Sequence, residues 1–281
     1  MKPTLLTMFL LSTGHASANY CFNPRPPEIH NLDKILTVTS KRTSETGSTT
    51  TSVYTYRAGL LRSQIDEAQA SWLGNSSTLD AYTYTVTGKI NTIDSTQTIN
   101  DKVTTNREVY EYDTQGRLTR VLAQNAPRKP LQVAATCSYG PSTIIELNTA
   151  FYGFQPQTLT YTLDDLGRVK QLTSTTEGNE SETDVTTFTY QGGTLQRREQ
   201  RISTRYSPTR IEIDEYDNAG LIVKYEVKEY DKNNKLTYQN VRNFEYQVDT
   251  YKNWAVRREY MDYQGKKELM STTVRTIIYV K

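Results

Sequence analysis

One short pattern, rewritten at a near-constant interval, constrains this chain more than any other feature. Its fullest copy is VYEYDTQGRLTRV, Val109 to Val121. Tyr110 and Tyr112 lie two apart in a run of β-formers, so both point to one face of a strand. Asp113 opens a turn, because its carboxylate accepts hydrogen bonds from the backbone N–H groups just ahead. Gly116 stands where a tight hairpin needs a positive φ, which a residue without Cβ adopts readily. Leu118 resumes the extended pattern, and the stretch reads as strand, turn, strand.

Aligned on Tyr112, further copies fall at Tyr56, Tyr84, Tyr139, Leu163, Tyr190, Tyr216, Tyr230 and Tyr246. Successive spacings are 28, 28, 27, 24, 27 and 26 residues, then 14 and 16. A fixed period marks a repeat protein. In an antiparallel meander, turns at one end of the sheet recur every second strand. Two strands of about 10 residues with two turns of about 4 give roughly 28. The late drop to 14 and 16 implies that turns at both ends then carry the pattern. Breaker clusters at 74–77, 100–102, 127–130, 178–182 and 207–208 supply turns at the opposite end. The expected fold is all-β: about 18 antiparallel strands in a meander, from near Asp33 to the run Leu269 to Val280. They would form one long, curled, solenoid-like repeat sheet, because twist makes so many strands curl.

The first 18 residues, MKPTLLTMFLLSTGHASA, combine one Lys, an apolar run and Ala16-Ser17-Ala18. They read as a signal peptide (1–18) cut before Asn19, followed by a proline-rich leader (19–31) and the repeat domain (32–281). The apolar run is too short to span a bilayer as a helix. Asn19 and Tyr20 are bulky where a lipobox needs small residues, which weighs against lipidation of Cys21. The expected protein is exported, periplasmic or secreted. In that compartment Cys21 and Cys137 are either bridged across 116 residues or present as two buried thiols. A bridge would stabilise by on the order of 4–5 kcal/mol in the chain-entropy picture. Without Lys2 there are 32 basic and 31 acidic residues, a balance that gives no reason to expect nucleic acid or an anionic membrane as partner. An outer-membrane barrel needs an apolar residue at every second position, whereas Arg197 to Arg205 and Lys224 to Glu229 carry charge on both faces.

The segment Tyr112-Asp113-x-x-Gly116-Arg117-Leu118 resembles the tyrosine–aspartate (YD, or Rhs) repeat. Tyr216-Asp217-x-x-Gly220, Tyr230-Asp231-x-x-Asn234 and Asp165-x-Gly167-Arg168-Val169 carry the same resemblance, which spans roughly residues 50 to 240. The tail, with Lys252-Asn253-Trp254 and Arg275 to Tyr279, is similar to the ends of small exported bacterial YD-like proteins. In large family members the repeats form a spiralling β-sheet that wraps a toxin domain in bacteria and serves adhesion in animals. Here the repeats are too few for a closed cocoon and no toxin segment follows them. The resemblance therefore implies the sheet-building unit rather than encapsulation.

The tyrosines set the functional question. Tyr56, Tyr84, Tyr112, Tyr190, Tyr216, Tyr230 and Tyr246, with Trp254, form a candidate ladder. Leu61, Ile90, Leu118, Val169, Leu195 and Ile222 would fill the level between rings. Such a ladder is either a groove for sugars or peptide side chains or the fold's own packing, and the alternation favours packing. The turn residues are Asp113, Gly116, Asp165, Gly167, Asp217 and Gly220. His30 is the one histidine left after signal removal. No metal-ligand cluster, nucleophile elbow or phosphate loop is visible, so no catalytic residue, metal or cofactor is expected. A paired-carboxylate hydrolase remains an alternative. The chain reads as an exported, non-catalytic binding or structural module for a carbohydrate or protein. The runner-up is an accessory of an envelope assembly that pairs through its sheet edge.

Overall fold

Runs of alternating side chains become strands, and the YD-like turns reverse the chain, while the expected breaker clusters at 178–182 and 207–208 lie outside the described residues. In order the strands are β1 (Ile35–Ser44), β2 (Thr49–Arg57), β3 (Leu60–Ala70), β4 (Gly74–Tyr84), β5 (Ile90–Ile99) and β6 (Lys102–Tyr112). Then follow β7 (Leu118–Gln124), β8 (Gln132–Tyr139), β9 (Thr143–Asn148), β10 (Gln157–Leu163), β11 (Val169–Thr176) and β12 (Thr183–Gln191). The last six are β13 (Thr194–Ser203), β14 (Thr209–Tyr216), β15 (Ile222–Tyr230), β16 (Leu236–Val248), β17 (Trp254–Tyr263) and β18 (Lys266–Tyr279). The structure is a computed structural model that describes residues 21, 32–45, 47–70, 74–124, 126, 129–149, 155–177, 183–203, 209–263 and 266–280. The expected signal segment and, Cys21 excepted, the leader with His30 lie outside the described residues. The predicted GNSS turn is instead the start of β4, because Gly74 already pairs with Ala70 of β3.

Every strand pairs antiparallel with its neighbours in sequence, and β1 also pairs with β18, from Ile35↔Tyr279 to Ser44↔Ser271. The sheet therefore closes into an 18-stranded barrel. This corrects the expectation of an open, solenoid-like sheet. Accumulated twist brings the two terminal strands together, and pairing them removes both exposed edges. Successive hairpins are staggered, as barrel closure requires: Lys102–Asn106 of β6 run past the end of β7.

The two faces of the wall differ. On β18, Ser271 and Thr273 are buried and Arg275, Ile277 and Tyr279 half-buried, while Val274, Thr276 and Ile278 between them are exposed. A concave wall crowds its side chains and a convex one splays them, so the buried face is the interior. Three apolar clusters line it. Ile35, Val38 and Tyr56 sit at the seam; Leu118, Val121, Ala123 and Ala135 line β7 and β8; Ile144, Leu159, Tyr161, Val169, Phe188 and Leu195 line β9 to β13. The cross-strand partners Ile213 and Glu226 are buried on the outer face, where Lys224 and Lys228 pair with Glu226.

Closure has its own charge network. Glu259 of β17, 4% exposed, accepts from Arg42 of β1 at 2.7 Å, Arg242 of β16 at 2.9 Å and the Ser271 hydroxyl of β18 at 2.9 Å. One carboxylate thus ties four strands across the seam. At the other end of the seam the Val280 N–H donates to the Lys34 carbonyl at 2.7 Å. Burial alone would raise the Glu259 carboxyl, but Arg42, Ser271 and Arg242 outweigh it and hold it below its ordinary value of 4.5. A lowered folded-state value means stability that is complete above pH about 4.5 and lost as the pH falls further. Glu259→Gln should cost about 3 kcal/mol in urea unfolding, as expected when two arginines lose a buried partner. The variant should also show a flatter acid limb in thermal melts below the ordinary carboxylate range.

Candidate functional site

All but one of the ladder residues project from turns at the end of the barrel where β1 begins, here end A. Their shared turn is a tight reversal. In the Asp113 turn the Gly116 N–H donates to the Asp113 carbonyl at 2.9 Å, and the Asp113 N–H to the Arg117 carbonyl at 2.9 Å. Gly116 has φ +76°, the left-handed residue that completes such a three-residue hairpin loop. The carboxylate of Asp113 accepts from the N–H groups of Gln115 and Arg117, and its second oxygen accepts from Arg117 Nε at 2.7 Å. The Arg117 N–H and guanidinium hold that carboxyl below the usual carboxylate range. Asp217 and Asp249 cap their turns through the same backbone bonds. In the 164–168 turn the cap is Asp164, not the expected Asp165, because Gly167 then falls three residues after the cap as Gly116 does after Asp113. Gly167 and Gly220 have φ +74° and +81°.

Each of these turns has a register shift at the residue before its aspartate: Tyr112, Leu163, Tyr216 and Val248. The neighbouring ladder also stops short. The β5–β6 pairing begins at Thr92↔Val109, leaving the Ile90 carbonyl outside it. Tyr112 Oη donates to that carbonyl at 2.7 Å. The same bond runs from Tyr84 to Leu61 at 2.6 Å, Tyr139 to Leu118 at 2.8 Å, Tyr190 to Val169 at 2.9 Å and Tyr246 to Ile222 at 2.8 Å. Each acceptor lies two residues past the preceding turn glycine. The basic residue beside that glycine covers the next ring: Lys89 over Tyr112 (5.4 Å to the centroid), Arg117 over Tyr139 (4.7 Å) and Arg168 over Tyr190 (4.5 Å). Tyrosine, aspartate, glycine, arginine and leucine of the repeat are thus all engaged by the wall itself.

The remaining ladder residues vary. Tyr56 is buried at the seam, where burial and then Tyr54 push its phenol up to about 12. Tyr216 is buried with its hydroxyl 3.5 Å from Asp214 Oδ2. Trp254 is 2% exposed, with the Arg275 guanidinium 3.4 Å from its ring centroid, and so is packed rather than presented to a ligand. Tyr230 departs from the group. Its turn lies at the opposite end, B, and its place in the β14–β15 register puts it on the outer face, one residue past the inward Glu229 that pairs with Arg210. Leu236 after that turn is 43% exposed, whereas Leu118 is 8% exposed.

Cys21 is bridged to Cys137, with Cα atoms 5.8 Å apart. The Cys21 N–H also donates to Glu146 at 2.9 Å, and Tyr161 Oη donates to the same carboxylate oxygen at 3.0 Å. Cys137 and Glu146 are cross-strand partners on the inner face, so the bridge fixes Cys21 to the inside of the barrel. Glu146, Glu259 and Arg42 carried no signal in the repeat. The basic residue after each turn glycine did, as Lys89, Arg117 and Arg168.

A cleft of about 490 Å³ lies at end B across β2 to β5 and the Asn100-Asp101 turn. Thr51, Glu67, Ser77 and Thr98 form one cross-strand row in it, on the face opposite the tyrosines. Among the described residues no three His, Cys, Asp or Glu side chains gather to hold a metal ion, and no helix is long and apolar enough to cross a membrane.

No family model matches the chain, and no curated protein matches it. Among solved structures it is similar to a porin-like protein from Bacteroides uniformis, at 13% identity and TM-score 0.33, covering 87% of this chain and 96% of that one. A TcdB2–TccC3 structure gives 13% identity and TM-score 0.22 over 79% of this chain and 16% of that one. A Photorhabdus luminescens Tc holotoxin pore gives 10% identity and TM-score 0.14 over 79% of this chain and 19% of that one. At such scores no residue role is carried over from any of them.

Three outcomes test the latch. Tyr112→Phe should destabilise by about 1 kcal/mol, since the Ile90 carbonyl loses its donor, while Tyr230→Phe should change stability by less than about 0.5 kcal/mol. Gly116→Val should cost roughly 1–3 kcal/mol, because a β-branched residue must adopt a positive φ where Lys89 already packs. Burial raises the phenols of Tyr84, Tyr112, Tyr139 and Tyr190 above 10. A raised folded-state value gives stability that is complete below pH about 10 and lost above it, so melting temperature should fall steeply on the alkaline side.

Proposed function

We propose that the chain is an exported, non-catalytic β-barrel built from YD-type repeats, acting at the cell envelope as a binding or scaffold module. The observation that carries this reading is that Tyr84, Tyr112, Tyr139, Tyr190 and Tyr246 each donate their hydroxyl to a backbone carbonyl of the preceding hairpin, while Asp113 and Gly116 are taken up by their own turn. The repeat therefore makes a wall, and recognition belongs to surfaces outside the motif. The Cys21–Cys137 bridge fits an oxidising compartment. Charged pairs such as Arg107–Asp94 and Arg120–Glu111 lie exposed on the outer wall, which suits water rather than lipid chains. Barrel closure leaves no continuous free edge, so the edge-pairing accessory has lost its docking strand.

The export half is checked on protein recovered from cells. It should begin at Asn19 and show no free thiol when denatured without reductant. Protein retained in the cytoplasm with two reactive thiols would overturn it. The binding half is checked by titrating the purified protein against an oligosaccharide array and against extended peptides. Tyr112→Phe should leave any affinity found unchanged, because that hydroxyl serves the backbone.

A further inference from the structure

We infer that the end-B cleft is a saccharide site, taking one or two pyranose rings along the row Thr51, Glu67, Ser77 and Thr98. This deepens the reading of the protein as a binding module and rests on it. Four adjacent strands at about 4.8 Å spacing make that row roughly 14 Å long. The cleft volume of about 490 Å³ falls within the range of small-molecule sites.

The lining selects the ligand. Small-molecule pockets are usually apolar with a few polar groups. Here all the lining residues except Ala68 carry a hydroxyl, amide or carboxylate. An apolar ligand would strip water from these groups and return nothing. Glu67 and Asp101 form no ion pair among the described residues, and an ionised carboxylate only accepts. The ligand must therefore bring several donors, and carboxylate-to-hydroxyl bonds are the stronger kind. Serine and threonine hydroxyls both donate and accept, matching ring hydroxyls of either orientation, and Asn100 can bridge two neighbouring ones. Threonine methyls offer contact to the C–H faces of a ring. Cross-strand pairing holds the row rigidly: Thr51↔Glu67, Glu67↔Ser77 and Ser77↔Thr98 are successive partners in three ladders. Such preorganisation keeps the ordering loss on binding small.

The test uses the mature protein and a panel of methyl hexosides and N-acetylhexosamine disaccharides, read by saturation-transfer NMR and calorimetry. At least one sugar should bind with saturation in the millimolar range. Glu67→Gln and Thr98→Val should each weaken it by about tenfold or more, the equivalent of one lost good hydrogen bond. Both sit on a solvated face, and unchanged melting temperature confirms that each variant is folded. Failure of any sugar to saturate at about 50 mM, a very weak affinity, would overturn the proposal. So would saturation by calcium or a polyamine that displaces the sugar signal. A sugar bound with equal strength by wild type and both variants would also overturn the cleft assignment, while leaving the binding-module reading in place.

Discussion

The barrel depends on the hydrogen bond from a tyrosine hydroxyl to a backbone carbonyl one hairpin away. At end A the strand pairings that flank the hairpins stop short of the turns. A carbonyl such as that of Ile90 is left beside the inner wall, half screened from water. Such a group forfeits free energy unless a donor reaches it. A phenol is the side chain long enough to arrive from the adjoining hairpin. One bond therefore couples two hairpins and sets the period, since donor and acceptor must recur every second strand. The other motif residues support the same coupling. Aspartate holds the turn and its arginine, and that arginine lies over the next ring.

A chain of such couplings is one-dimensional, and on its own it would end in two exposed edges. Closure is achieved by residues outside the repeat. Arg42 comes from the first strand and Glu259, Arg242 and Ser271 from the last three, so the network forms only once the chain ends have met. The wall can grow hairpin by hairpin, but the seam forms only when the whole is assembled. The Cys21 bridge adds a second long-range constraint, on the opposite wall, by fixing a residue near the chain start to β8.

This division explains what could be read from sequence. The repeat, the strand number and the roles of Asp113 and Gly116 are local, and they follow from spacing and turn chemistry. The aliphatic residues two past each turn glycine, Leu61 to Ile222, were also identifiable. Their carbonyls were not, because a backbone acceptor has no sequence signature. Closure was illegible for a related reason: an open and a closed meander share the same repeat, and the seam residues Arg42 and Glu259 resemble any solvated Arg and Glu. At residues 164–168, two adjacent aspartates offered two registers, and only the spacing to Gly167 decides for Asp164.

The position of Tyr230 shows why the motif keeps to one end. The turn has a fixed hand, and the meander always advances the same way around the barrel. Carrying an end-A hairpin to end B while preserving that advance requires rotation about an axis lying in the sheet, and this exchanges the faces. The same motif, here with Asn234 in place of the glycine, then points its ring and its leucine outward, as Tyr230 and Leu236 do. An outward ring stitches nothing inside the wall, so end B gains nothing from repeating the motif. Its turns are accordingly diverse, from the two-residue Asn100-Asp101 reversal with both φ values positive to the Asp231 turn. A scaffold that fixes one rim by a repeated bond and leaves the other unconstrained concentrates its freedom to vary on that second rim. Binding surfaces arise where loops can change without disturbing the framework. The polar cleft beside Asn100 and Asp101 occupies that rim.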